Sequence, residues 1–344
     1  PAGRKAASGH KRPNGRIREG SAGGAAPTSG VCVESGRLQE RGQSGSHAGM
    51  EGPHEHESAK GVQTGGGDLA GTPGVPGKEM VGGSGQKTRI KDMKTLVTAN
   101  QKGGVGKTSS VIHLAFDAAE RGKKVAVIDL DTQANASFTL REYACGVTAS
   151  ELFKAGDPKV VAPEGEGGSI TLIEADNGLA GLESEKIAVA AQYFSQNIKA
   201  VAEGGFDLCL VDTAPALGVR MAAALLAADY VISPIELETY SLQGIKQMVT
   251  TVSNLRRSNP RLEFLGMVAS KVDSRNPRHV RHQAELNEAY PKMMVPVSIG
   301  LRSSVADAVA TRVPVWKIKK TAARKAAKEM RAFADYVFTK MEIA

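Results

Sequence analysis

None of the 15 aromatic residues lies within residues 1–92, and that stretch holds only nine Val, Ile, Leu or Phe residues against 22 of the chain's 39 glycines. So little apolar surface cannot offset the conformational entropy of ordering a core. Residues 1–92 are therefore expected to be a disordered Gly-rich extension, and residues 93–344 one folded domain. Cysteine is equally sparse: Cys32, Cys145 and Cys209 have no metal-ligand spacing and cannot build a disulfide framework, which points to a reducing, cytoplasmic setting. The longest apolar run, near Met221 to Ala228, is broken by Asp229 and falls well short of the ~18 residues a membrane-spanning helix needs. No basic cap followed by an apolar block opens the chain, so no secretory signal is expected.

Charge is plentiful and unevenly placed. The formal net charge is +8, and from Arg312 to Ala344 nine Lys or Arg face three acids. Such a cluster reads either as a polyanion contact or as a solvated helical face. Upstream of it, short β-branched runs alternate with helical patterns. Strands are expected at Met93–Ala99, Lys124–Asp129, Ser169–Ala175, Asp207–Asp212, Tyr230–Ile235, Phe264–Ser270 and Lys292–Val297, and helices near Lys107–Arg121, Ser184–Ala202, Leu242–Arg257 and Val280–Ala289. This alternation predicts an α/β fold, a doubly wound and mainly parallel sheet with helices on both faces. Ligands of such folds sit at the carboxyl ends of the strands.

The chemistry-bearing motifs lie at those ends. After the first strand comes QKGGVGKTSS, Gln101 to Ser110, leading into a helix. Gly103, Gly104 and Gly106 let the backbone turn its N–H groups inward, and with Val105, Lys107, Thr108 and Ser109 they form an anion cradle at the helix N-terminus. Lys107 is placed to neutralise β and γ phosphates, and the Thr108 hydroxyl to bind Mg²⁺. Gln101 stands where the common pattern has glycine, and a second lysine, Lys102, sits near the loop's start. The second strand ends in DLD, placing Asp129 and Asp131 at the rim, and the strand at Asp207 ends in VDTAP, placing Asp212 there to hold Mg²⁺ through water.

KGGVGKT, DLDTQAN (Asp129 to Asn135) and FDLCLVDTAPALG (Phe206 to Gly218) resemble the deviant Walker P-loop NTPases of the ParA type, which partition plasmids and chromosomes. The strings LVTANQKGGVGKT, SKVDSRNPRHVRHQAEL and VPVWKIKKTAARKA resemble the IncC group of IncP plasmids. The resemblance implies an ATPase with ATP and Mg²⁺ as cofactors. ATP would close a sandwich homodimer that binds double-stranded DNA non-specifically and is released when a ParB-type, KorB-like partner stimulates slow hydrolysis. It also implies a bacterial, nucleoid-associated location and no membrane contact. Lys102 then matches the signature lysine that crosses to the partner copy's nucleotide, Asp131 the residue that orients the attacking water, and Asp129 and Asp212 positions supporting Mg²⁺. Two positions depart from the family's DxDPQGN box: Thr132 replaces Pro and Ala134 replaces Gly.

Three late basic groups, Ser274–His282, Leu301–Ser304 and Lys317–Lys328, carry few aromatics, which favours duplex phosphates over stacked single strands. By resemblance Arg275 and Arg302 match DNA-binding positions; Lys317, Lys319, Lys320 and Arg324 are added from charge alone. Ser270–Asn276 and Pro234–Glu236 are strand ends that either face the adenine or are capped by their own polar groups. His113, His279 and His282 have no ligand spacing and are expected to be surface or helix residues. Two rival readings remain: a MinD-like membrane ATPase, raised by the apolar stripe of Met330–Ile343, and a non-hydrolysing DNA scaffold. A nitrogenase-type iron protein is disfavoured because Cys145 and Cys209 do not have the spacing of a bridging cluster.

Overall fold

Eight strands form one sheet in the computed structural model, which describes residues 92–237 and 242–343. They are β1 (Lys94–Thr98), β2 (Lys124–Asp129), β3 (Ala144–Thr148), β4 (Ser169–Glu174), β5 (Leu208–Asp212), β6 (Tyr230–Glu236), β7 (Glu263–Val272) and β8 (Met294–Gly300). The helices are α1 (Lys107–Glu120), α2 (Asn135–Leu140), α3 (Ile187–Glu203), α4 (Val219–Ala227), α5 (Leu242–Ser258), α6 (Pro277–Ala289), α7 (Ser303–Ala310) and α8 (Thr321–Lys340). Every strand pair is parallel, in the order β3-β4-β2-β5-β1-β6-β7-β8. All but Asp92 of the expected extension lies outside the described residues.

The strand sequences explain why both faces are covered. Successive side chains of a strand point to opposite faces, and here both sets are apolar. Leu96, Val125, Val127, Leu208 and Leu210 pack into one core with α1, α7 and α8, whereas Val97, Ala126, Ile128, Cys209 and Val211 pack into another with α3 and α4. A third, smaller cluster joins Met267 and Ala269 of β7 to Leu286 of α6. Doubly buried strands read as continuous apolar runs, which is why KVAVID and LCLVD are recognisable without alternation.

The apolar stripe near the C-terminus is used internally. Met330, Phe333, Ala334, Val337 and Phe338 of α8 are buried with Met341 and Ile343 against the α1 side of the sheet. Full burial of each large side chain stabilises the fold by roughly 1.5–3 kcal/mol, so this face is not available to a bilayer. No described helix is long and apolar enough to cross a membrane.

β1 lies inside the sheet, flanked by β5 and β6. The loop after β1 therefore emerges between the ends of β5 and β6, with Thr98 level with Asp212 and, one strand further, Asp212 level with Asp129.

Candidate functional site

The loop between β1 and α1 is shaped by Asn100, whose role the sequence reading missed. Its side-chain N–H₂ donates to the Pro234 carbonyl (2.7 Å) and to Ser233 Oγ (3.3 Å), while its Oδ1 accepts from the Lys102 N–H (2.8 Å). The loop's start is thereby fixed to the end of β6. Gly104 and Gly106 adopt φ of 75° and 98°, a left-handed region that a side chain makes costly. At Gly106 a Cβ would also stand 2.8 Å from Ser270 Oγ. Val105 is buried beneath the loop, and Ser110 Oγ donates to the Gly106 carbonyl (2.9 Å). Thr108 and Ser109 lie in the first turn of α1, which carries no acidic residue. The positive end of the helix is thus left open to an anion.

Lys107 is 6% exposed and its Nζ donates to the Lys102 carbonyl (3.2 Å). Burial lowers its pKa, and the charges of Asp212 and Asp131 oppose that shift. Below it lies Asp212, fully buried, with neither carboxylate oxygen engaged in a well-formed hydrogen bond. Burial first, then the neighbouring Asp129, pushes its pKa up to about 8, although the Thr108 hydroxyl and the Lys107 ammonium pull the other way. Two orphaned oxygens facing a hydroxyl and an ammonium suit a hydrated divalent cation. Among the described residues no three His, Cys, Asp or Glu side chains close on one point.

Asp129 has a different posture. Its Oδ2 accepts from both the N–H and the hydroxyl of Ser137 (2.8 Å each), and its Oδ1 from the Asp131 N–H (3.1 Å). The carboxylate therefore anchors the loop that carries Asp131 and the start of α2, with acceptor capacity remaining on Oδ1. Asp131 Oδ1 accepts from the Gln133 N–H (3.0 Å), and its carbonyl from the Ala134 N–H (2.8 Å). Ala134 caps α2 in the left-handed region at φ 52°, the conformation for which the family pattern uses glycine. Behind both loops sits Arg220 of α4, another residue missed from sequence. Its Nη1 donates to the Leu130 carbonyl (2.7 Å) and its Nε to Glu183 (2.7 Å), which also accepts from the Val219 N–H (2.8 Å).

Lys102, the signature lysine by resemblance, is ion-paired with Glu236 at the end of β6; Lys271 holds the other oxygen of that carboxylate at 2.9 Å. Its two lysines keep the Glu236 carboxyl below its ordinary range although burial opposes this. Of the two strand ends raised for adenine, Pro234–Glu236 thus meets Asn100 and Lys102, and Ser270–Lys271 lies beside Gly104 and Gly106.

The basic residues divide into two groups. Arg302 is largely withdrawn: its Nε and Nη2 donate to Glu329 of α8 (3.0 and 2.7 Å), which also accepts from the Gly300 N–H. Arg275 is exposed and pairs across its own turn with Asp273, and Lys320 pairs with Asp307. Lys317, Lys319 and Arg324 are exposed around the start of α8. A cavity of about 150 Å³ lies between Ser109 and Ser110 of α1, Ser270 and Lys271 of β7, and Arg302. The Arg302 loop is therefore a close neighbour of the phosphate loop. His113, His279 and His282 lie on helices, as expected, and His113 and His279 are buried. His113 accepts the Val315 N–H at Nε2 (3.2 Å), and burial pushes its pKa down to about 4.

Comparison with known proteins agrees with this geometry. The family described as AAA domain matches residues 93–264. The Escherichia coli Protein IncC is 62% identical over 294 residues, which cover 84% of this chain and 81% of that protein. The chromosome partitioning protein ParA of Caulobacter vibrioides is 35% identical over 191 residues, 54% of this chain and 72% of that one. Among solved structures, cobyrinic acid a,c-diamide synthase from Mycobacterium smegmatis with bound ADP and magnesium superposes with a TM-score of 0.58 at 27% identity, covering 73% of this chain and 96% of that one. Phosphate loop, three aspartates and parallel sheet together with these relatives lead to one assignment: the chain belongs to the ParA-type partition ATPases, in the branch of the IncC proteins.

Proposed function

We propose that the chain couples ATP hydrolysis to a nucleotide-dependent grip on duplex DNA, so that plasmids carried by a ParB-type, KorB-like partner are segregated over the nucleoid. The observation that carries this reading is Asp212, buried and without a well-formed hydrogen bond beneath Lys107 and Thr108. Leaving a carboxylate so placed costs about 1–3 kcal/mol or more, a cost that a bound Mg²⁺–nucleotide would remove.

The residues divide the work. The N–H groups of residues 103–109 and the α1 terminus hold the phosphates; Lys107 neutralises the charge that develops on them. Bound Mg²⁺, on the Thr108 hydroxyl with Asp212 and Asp129 through water, would supply further charge neutralisation. Asp131, fixed by Asp129 and its own turn, holds the attacking water in line. Lys102 reaches the nucleotide of a second copy, so that ATP closes a sandwich dimer. Slow basal turnover then fits a chain in which one lysine must come from elsewhere and no arginine finger is evident in the motifs. The exposed Arg275, Lys317, Lys319, Lys320 and Arg324 supply DNA phosphate contacts, with Arg302 added if its pair with Glu329 opens.

The decisive experiment measures DNA binding and oligomeric state together in ATP, ADP and no nucleotide. Dimers that bind duplex only in ATP are expected. A chain that stays monomeric and binds duplex equally in all three conditions would overturn the reading.

A further inference from the structure

Glu236 places a carboxylate at the mouth of a loop built to attract phosphate, where an acid repels the ligand. Its position is nevertheless well determined. Asn100 ties the end of β6 to the start of the loop, and the two Glu236 oxygens hold Lys102 and Lys271 respectively. The Glu236 side chain is 16% exposed, against 41% for Lys102 and 44% for Lys271. Lys271 reaches this carboxylate from a backbone at φ 55°, unfavourable for a non-glycine residue, with its Nζ 3.8 Å from where a Cβ on Gly104 would stand. The Lys–Glu–Lys group therefore stands beside the phosphate loop. The main chain of Lys102 is itself held, its N–H by Asn100 and its carbonyl by Lys107. Movement of this lysine is thus mainly movement of its side chain, and an ammonium bound to its own β6 is not at the phosphates of a second copy.

We propose that Glu236 is a positioning residue for Lys102, holding the ammonium within its own subunit until a nucleotide-bearing copy draws it across, with Lys271 left to neutralise the carboxylate. The proposal rests on the sandwich-dimer reading and adds to it a threshold: the strength of this internal pair subtracts from dimer affinity. No charge is stranded in the exchange, since Lys102 passes from a carboxylate to phosphates while Glu236 keeps Lys271.

Sedimentation of the full chain at saturating ATP and Mg²⁺ tests it, with wild type, Glu236→Gln, Lys102→Ala and the double variant compared over a range of protein concentrations. Glu236→Gln is expected to tighten the ATP-dependent dimer about fivefold, the size of a partly exposed ion pair that no longer has to be broken. In the Lys102→Ala background the same substitution is expected to change nothing. Glu236→Ala guards against an effect peculiar to the amide and is expected to act in the same direction. An unchanged dimer constant in both Glu236 variants overturns the proposal. So does an equal shift with and without Lys102, which would assign the effect to general repulsion of the nucleotide. If the wild type dimerises and only the Glu236 arm fails, the dimer reading survives; if the wild type stays monomeric in ATP, both fall.

Discussion

Residue by residue, the site contains two costs that the fold tolerates. Ala134 occupies a left-handed conformation that costs a non-glycine residue about 1–2 kcal/mol, while glycine there would lose about 0.4–1 kcal/mol more entropy on folding. Ala134→Gly is therefore expected to stabilise the chain by about 0.5–1 kcal/mol, read as a higher urea midpoint with unchanged slope. Asp212 is the second cost. Its pKa rises from 3.8 to about 8 on folding, so between those values the native state holds a proton that the unfolded chain releases, and stability falls as pH rises. Asp129, raised by the same burial, acts in the same direction. His113 acts oppositely, since its pKa falls from 6.5 to about 4, and its contribution grows with pH only up to its unfolded value. Above pH 6.5 the aspartates are left. The nucleotide-free chain should thus lose stability between pH 6.5 and 8, and Asp212→Asn should flatten that slope; urea midpoints at the two pH values check it.

At the scale of elements, α1 and α8 are joined by a charged cluster behind the phosphate loop. Arg331 of α8 pairs with Asp117 and Glu120 of α1 and stacks on Trp316 at 3.8 Å, while Arg121 pairs with Asp117 and Asp335. Asp117 is fully buried. Arg331→Leu leaves that carboxylate to Arg121 alone and removes the stacking, and is expected to destabilise by about 2 kcal/mol in denaturant unfolding. Legibility from sequence follows the same physics. KVAVID and LCLVD announce themselves because both faces of those strands are buried, and the phosphate loop because glycine, lysine and helix start occur in fixed order. β3 was missed. ACGVT is an exposed edge strand paired irregularly with β4, so burial imposed no pattern on it. Asn100, Ser137 and Arg220 were also missed as site residues, and Glu236 was raised only within a strand end that faces adenine or caps itself, not as the partner of Lys102. Their roles depend on partners 37 to 134 positions away, or in Ser137's case on a buried carboxylate eight positions back, and no local spacing signals such pairs.

For the molecule as a whole, the expected DNA surface is a charge distribution and not a pocket. Each phosphate contact releases counterions and contributes about 0.9 to the slope of log affinity against log salt. Replacing Lys317, Lys319 and Arg324 by Ala should therefore reduce that slope by about 0.9 for each residue that touches duplex, measured by titrating DNA binding at several salt concentrations. An unchanged slope would remove the start of α8 from the interface. A different consequence follows from the packing of α1 against α8. The helix that begins at Lys107 is covered by residues more than two hundred positions later, and β1 itself pairs with β5 and β6. During synthesis on the ribosome, a half-made chain would carry the whole nucleotide-binding motif on a strand with no neighbours and a helix with no cover. Competence to bind nucleotide should thus arrive late and all at once, and chains interrupted before Thr321 should be substrates for chaperones and proteases sooner than slow ATPases.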